Sequence, residues 1–279
     1  MSDGRKTILI TGCSSGIGYG CAHHLAKDGW RVFATCRKPE DCERLIDEGL
    51  ESFVLDYDDP ASMEAAVSET LTRTGGTLDA VFNNGAYATP GYLEDVPVAA
   101  MRANFETNFF AQHELTRLLI PVFRAQGHGR ILMNSSVLGF AALQRRGVYN
   151  STKFAMEGWA DTLRLEMRDT GIHVILIEPG PITSRIRQNS QPHFEKWIDW
   201  QSSARALDYK TNGIPRLYSE SGKPDQFELP ASAVSEVVLK ALTTARPKAR
   251  YRITTPTKVF WVLKRILPTH TLDRILARV

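Results

Sequence analysis

The feature that most constrains the fold is an alternation. Six short runs rich in apolar and β-branched residues, at 7–11, 31–36, 52–56, 79–83, 130–135 and 173–178, read as strands. Stretches with helical spacing separate them, at 17–28, 39–48, 60–74, 97–126 (Pro121 near its end) and 149–170. Gly29, Gly49, Gly75-Gly76 and Gly171 stand where helices should stop. The strand runs are apolar throughout instead of alternating with polar residues. A strand buried on both faces needs that pattern, and a parallel sheet covered by helices on both sides provides the burial. The expectation is an α/β fold, a doubly wound parallel sheet in a single domain over 1–255.

The remaining residues are less regular. Residues 182–229 show no clean period and carry Phe194, Trp197, Trp200, Tyr209 and Tyr218. A loop of that length is usually functional, and either an apolar substrate lid or packing onto the body accounts for the aromatics. A helix over 230–245, a strand over 250–254 and two short basic amphipathic helices, 258–267 and 272–279, complete the chain. Residues 246–279 hold nine of the 34 Lys and Arg but only one of the 31 Asp and Glu, Asp273. The net charge of +3 is therefore concentrated in a C-terminal extension, 256–279, and gives no reason to expect nucleic acid. That extension either packs on the body or makes peripheral contact with an anionic membrane.

Apolar residues at 43% and charged residues at 23% exclude a disordered, collagen-like or polytopic membrane chain. No secretory pattern opens the sequence, so Cys13, Cys21, Cys36 and Cys42 read as thiols of a cytoplasmic protein. The seven histidines lack metal-site spacing, and no metal is expected.

Between the first strand and first helix runs Thr11-Gly12-Cys13-Ser14-Ser15-Gly16-Ile17-Gly18. Three glycines let the chain turn sharply, and the helix start directs free N–H groups at an anion such as a diphosphate. A plain tight turn is the alternative. The second strand ends Cys36-Arg37-Lys38. An acid at such a position binds a ribose 2′-hydroxyl, whereas Arg accommodates a 2′-phosphate, so this ending favours NADP(H) over NAD(H). Solvated basic side chains would look the same.

Tyr149 and Lys153 lie four residues apart on one helix face, thirteen residues after Ser136 at the fifth strand's end. A phenol titrates near 10, and a neighbouring ammonium lowers that value enough for proton transfer at an alcohol or ketone oxygen. Such a pair alone is usually a surface contact. Its setting behind a Gly-rich first loop makes the chain resemble the short-chain dehydrogenase/reductase family. The matching segments are Thr11–Gly18, Ser136, Tyr149–Lys153 and Pro179-Gly180, in order over about 5–185.

The resemblance implies a Rossmann-type fold and a catalytic set of Asn108, Ser136, Tyr149 and Lys153, with Asn108 holding a relay water. It implies cofactor contacts from Gly12, Ser14, Ser15, Gly16, Ile17, Gly18, Asn83, Gly85, Tyr149, Lys153, Pro179 and Gly180. Asp56 would meet the adenine and Thr183 the nicotinamide carboxamide, with Arg37 and Lys38 at the 2′-phosphate. Asn83-Asn84-Gly85-Ala86 departs from the family's Asn-Asn-Ala-Gly. The sequence is most similar to the 17β-hydroxysteroid and retinol dehydrogenase-like branch. That likeness implies a lipophilic alcohol or carbonyl substrate, lined by Leu138, Phe140, Leu143 and the 182–229 lid, and a homo-oligomer paired through the helices near 100–126 and 149–170. A non-catalytic NADP(H)-binding or redox-sensing protein is the alternative.

Overall fold

The computed structural model describes residues 4–219 and 224–278. Part of the expected lid, 220–223, and the last residue of the extension lie outside the described residues. The six expected strands form as β1 (Thr7–Ile10), β2 (Arg31–Cys36), β3 (Glu51–Val54), β4 (Ala80–Asn83), β5 (Gly129–Asn134) and β6 (Ile172–Glu178), followed by β7 (Arg250–Arg252). All pairings are parallel, in the order β3-β2-β1-β4-β5-β6-β7. The chain winds outward from β1 to β3, then returns to place β4 on the other side of β1. At that reversal the connections that leave β1 and β4 lead to helices on opposite faces of the sheet, α1 (Gly16–Lys27) on one and α5 (Ala111–Gln126) on the other, which opens a crevice at the usual ligand position in such sheets.

The strand side chains divide between two cores. Ile8, Ile10, Val32, Ala34, Phe82, Leu132 and Ile175 join a cluster with α1 (Gly16–Lys27), α2 (Pro39–Asp47) and α10 (Ala231–Thr243). Leu9, Phe33, Val81, Ile131, Met133 and Val174 join the opposite one with α3 (Pro60–Thr74), α5 (Ala111–Gln126) and α6 (Gly147–Glu166). Successive residues point to opposite faces, so two buried faces require apolar residues at every position.

The helix expected over 97–126 is divided. α4 (Val98–Phe105) passes through a π-turn, Glu106–Phe110, into α5. A π-turn inserts one residue into the helical spiral and is common at functional sites. Here it carries Asn108, and no local sequence signal marks it.

The 182–229 segment is more helical than its period suggests. It contains α7 (Ile186–Trp197), with Pro192 inside, and the short α8 (Ala206–Asp208) and α9 (Ile214–Leu217). Phe194, Ile198, Tyr209 and Leu217 form a separate small core with Tyr92, Val96, Trp197 and Trp200. Apolar residues gathered around a private core do not follow one stripe, which hides the helical period. Tyr218 stays outside this core, its hydroxyl 2.6 Å from Glu195 Oε1.

The basic C-terminus folds as α11 (Thr255–Ile266) and α12 (Thr269–Leu276). Leu272 and Leu276, with Phe260, Leu263 and Leu267, cover Val137, Phe140, Ala141 and Leu143. Phe140 and Leu143, both half-buried, thus pack against the C-terminal helices. Trp261 is held between the guanidinium groups of Arg252 and Arg265, 3.9 and 3.8 Å from its ring. Val259, Val262 and Ile266 stay exposed along one side of α11.

Candidate active site

The Gly-rich loop turns at the crevice. Gly12 and Gly16 have φ of 68° and 62°, the left-handed region that favours glycine. A Cβ on Gly12 would come 2.7 Å from the Gly85 Cα, and one on Gly18 would come 2.3 Å from the Gly12 carbonyl oxygen. Neither glycine can carry a side chain without a backbone shift. Ser15 precedes α1 in extended conformation, its hydroxyl makes no capping bond, and the first turn holds no acid. The opening amide groups of α1 are therefore available to an anion. Ile17 is half-buried, and the Ser14 carbonyl accepts from Arg44 at 2.8 Å.

This loop is fastened to β4. The Thr11 hydroxyl accepts from the amides of Asn84 and Gly85 at 2.9 and 3.1 Å, and the Asn84 amide group donates to the Thr11 carbonyl at 2.9 Å. Asn83 is fully buried, its side chain donating to Thr116 at 3.0 Å, so that side chain faces the core and not the crevice. The order Gly85-Ala86 has a local reason: a Cβ on Gly85 would lie 2.9 Å from the Tyr57 ring. Arg37 and Lys38 are exposed at the end of β2, beside buried Cys36, and Asp56 is half-buried just beyond β3.

Beyond β5 the chain stays extended to Ser136, whose hydroxyl accepts from the Leu138 amide at 3.1 Å. Ser136 lies two residues past the strand's end instead of closing it. The Tyr149 phenol, in the first turn of α6, lies beside the Ser136 hydroxyl. Lys153, one turn further and fully buried, donates from Nζ to the Asn134 carbonyl at 2.6 Å and sits 5.4 Å from the Tyr149 ring centroid. The Asn134 side chain donates to Asn84 at 2.8 Å, which ties the lysine to the Gly-rich-loop side of the crevice.

Burial pushes the Tyr149 phenol well above its ordinary range, opposed first by the nearby Arg146 guanidinium and then by the Ser136 hydroxyl. Burial also pulls Lys153 down to about 7, opposed by Glu157. The sequence argument made Lys153 the cation that lowers Tyr149. In this structure the Arg146 guanidinium is close enough to act in the same sense.

Asn108 is also fully buried. Its Oδ1 accepts from the Tyr87 amide at 3.0 Å and its Nδ2 donates to the Tyr87 carbonyl at 2.8 Å. The Asn108 side chain thus clamps a backbone segment, and a relay water would have to use the main chain of the π-turn.

Pro179 and Gly180 follow β6, and a Cβ on Gly180 would lie 2.1 Å from the Thr254 hydroxyl, so this glycine admits the start of α11. The Thr183 hydroxyl donates to Glu228 at 2.6 Å. Ser184 approaches Gly16, and His193 of α7 stacks on Tyr87 with ring centroids 3.7 Å apart. Ser184 and His193 thus bring the start of the 182–229 segment beside the crevice.

The model of the short chain dehydrogenase family matches residues 6–194. This chain belongs to that family. It is 38% identical over 273 residues to YbbO, an uncharacterized oxidoreductase of Escherichia coli, covering 98% of this chain and 94% of that one. It is 31% identical to retinol dehydrogenase 8 of Bos taurus over 98% of this chain and 89% of that one. A solved short-chain dehydrogenase from Streptomyces avermitilis superimposes with a TM-score of 0.78 at 25% identity, covering 99% and 94% of the two chains. The short-chain dehydrogenase described here is accordingly an oxidoreductase that acts on CH–OH or C=O groups. Among the described residues no helix is long and apolar enough to cross a membrane.

Proposed function

We propose that this short-chain dehydrogenase interconverts a lipophilic alcohol and its carbonyl compound with NADP(H), using Tyr149 as the proton donor and acceptor. The observation that carries the reading is the Ser136–Tyr149 hydroxyl pair with Lys153 one helical turn away. The bound nicotinamide would supply or accept the hydride. In reduction, Ser136 orients the carbonyl oxygen and Tyr149 delivers a proton to it. A phenol held neutral by burial suits donation. Lys153 holds the far side of the ring, and its proton is replaced through the Asn108 π-turn. Gly12, Ser14, Ser15, Gly16, Ile17 and Gly18 would cradle the diphosphate, the uncapped α1 start supplying the donors. Asp56 would face the adenine. Asn83 and Gly85 would supply main chain at the floor, and Pro179, Gly180 and Thr183 would flank the nicotinamide.

The preference for NADP(H) rests on Arg37 and Lys38, exposed beside a strand end with no acid. The lipophilic substrate rests on likeness to a retinol dehydrogenase. Exposed Val259, Val262 and Ile266 beside Lys258 and Arg265 would give peripheral contact with an anionic membrane, tested by sedimentation with anionic liposomes. Exposed Phe110 and Phe154 on the long helices would support pairing of two copies. The test of the reaction is a turnover panel with NADPH and NADH over retinal, steroids, aliphatic ketones and small sugars. Reduction of the apolar carbonyls with NADPH is expected. Turnover of sugars alone would overturn the lipophilic reading.

A further inference from the structure

The lid brings a group of arginines to the mouth of the catalytic site. Arg187 lies on α7 and Arg216 on α9, while Arg145 and Arg146 lead into α6. Arg145 is a non-glycine residue in the left-handed region, with φ of 57°. Such a conformation costs of order 1–3 kcal/mol and persists where its surroundings enforce it. Here the Arg145 carbonyl accepts from the Gly91 amide at 3.0 Å and its guanidinium pairs with Asp208. The next residue, Arg146, lies close enough to Tyr149, Arg187 and Arg216 to feel their charges.

The ion pairs leave Arg146 out. Asp225 Oδ2 receives both Arg187 and Arg216 at 3.0 Å, and Asp208 is taken by Arg145. Among the described residues Arg146 makes no side-chain hydrogen bond or ion pair. The charges that act on it most strongly are the guanidinium groups of Arg216, Arg145 and Arg187, opposed by the Asp225 carboxylate. Burial and these like charges pull its guanidinium down to about 10. A sheltered cation with too few counter-charges is unfavourable until something supplies one. Arg146 and Tyr149 are three residues apart across the first turn of α6, so both address the same space.

We infer that Arg146 binds an oxyanion carried by the substrate, close to the carbonyl oxygen that Tyr149 protonates. The substrate class is then an amphiphile: an apolar chain bearing a carbonyl or hydroxyl group near an acid group such as a carboxylate or phosphate. This inference deepens the reading proposed above and rests on it for the identity of the reaction. The guanidinium fork suits such a partner, and a charge-assisted bond of this kind changes affinity by about tenfold or more.

The test is calorimetric titration of the full-length, NADPH-loaded protein with decanoate, decyl phosphate and decanol. Decanoate or decyl phosphate should bind about tenfold more tightly than decanol, and whichever binds more tightly identifies the acid. Arg146→Met should erase most of that difference, and Arg146→Lys should keep part of it. NADPH binding by each variant reports that it is folded. Equal affinity for the anionic and neutral probes in the unmodified protein overturns the inference, whatever the variants do. A preference that survives Arg146→Met also overturns it. The titration needs no turnover. If no ketone is reduced but decanoate binding depends on Arg146, the reaction reading fails and the anion site stands. If ketones are reduced while the probes bind equally, the reverse holds.

Discussion

On the nucleotide side of the crevice, Thr11, Gly12, Asn84 and Gly85 hold one another by main-chain contacts and bonds from buried side chains. On the lid side, Arg145, Arg187 and Arg216 reach Asp208 and Asp225 through partly exposed ion pairs. The first wall is set by backbone clearance and admits almost no substitution. The second is set by long side chains whose pairing energy is small in water. A site that must take one invariant dinucleotide can afford a rigid wall, whereas a wall of mobile charges can be altered to suit a substrate.

Substitution measures that contrast directly. Gly18→Ala would bring a methyl group against a backbone carbonyl, at a Cβ distance of 2.3 Å. Its expected cost is about 3 kcal/mol of stability, together with loss of NADPH binding. Asp225→Asn on the lid should cost under about 1 kcal/mol. Chemical denaturation of the two variants compares them, and equal losses would break the distinction.

Arg37→Asp should move the NADPH:NADH affinity ratio by about 100-fold towards NADH, because attraction at the 2′-phosphate becomes repulsion. Fluorescence titration with both nucleotides measures it. An unchanged ratio would remove Arg37 from the nucleotide wall.

Lys153 gives a pH-dependent effect, modest for each pH unit. Its folded-state value of about 7 lies below the ordinary 10.5, so the unfolded chain binds the extra proton between those limits. Stability from this group is therefore present above 10.5 and is lost as pH falls towards 7. Relative to Lys153→Met without cofactor, the wild type should lose up to about 1.4 kcal/mol per pH unit across that window. Below about 7 the difference should level off. Denaturation curves at several pH values test this, and a flat difference would mean that Lys153 is not held in a dehydrated site.

The two walls also differ in how far the amino-acid sequence reveals them. The sheet and the glycine loop depend on local signals: apolar runs, helix-stopping glycines, and Gly12, Gly16 and Gly18 at a strand–helix junction. Those signals foretold β2 and α3 to the residue. Ser136, Tyr149 and Lys153 were legible because their spacing follows from one strand end and one helix face. Arg146 was not, since its importance comes from Arg187, Arg216 and Asp225, which the fold brings from 40 to 80 residues away. The π-turn at Asn108 left no trace because its extra residue is stabilised by the main chain of Tyr87, in the loop after β4. The lid helices escaped notice because their apolar residues serve a private core.

The claim at the centre of this account is that Tyr149 transfers the proton in a reaction that oxidises NADPH. Single-turnover oxidation of bound NADPH by an apolar ketone, followed in the wild type and in Tyr149→Phe, tests it most directly. The variant should bind NADPH as the wild type does and react about a thousandfold more slowly. Undiminished single-turnover oxidation in Tyr149→Phe would contradict the account.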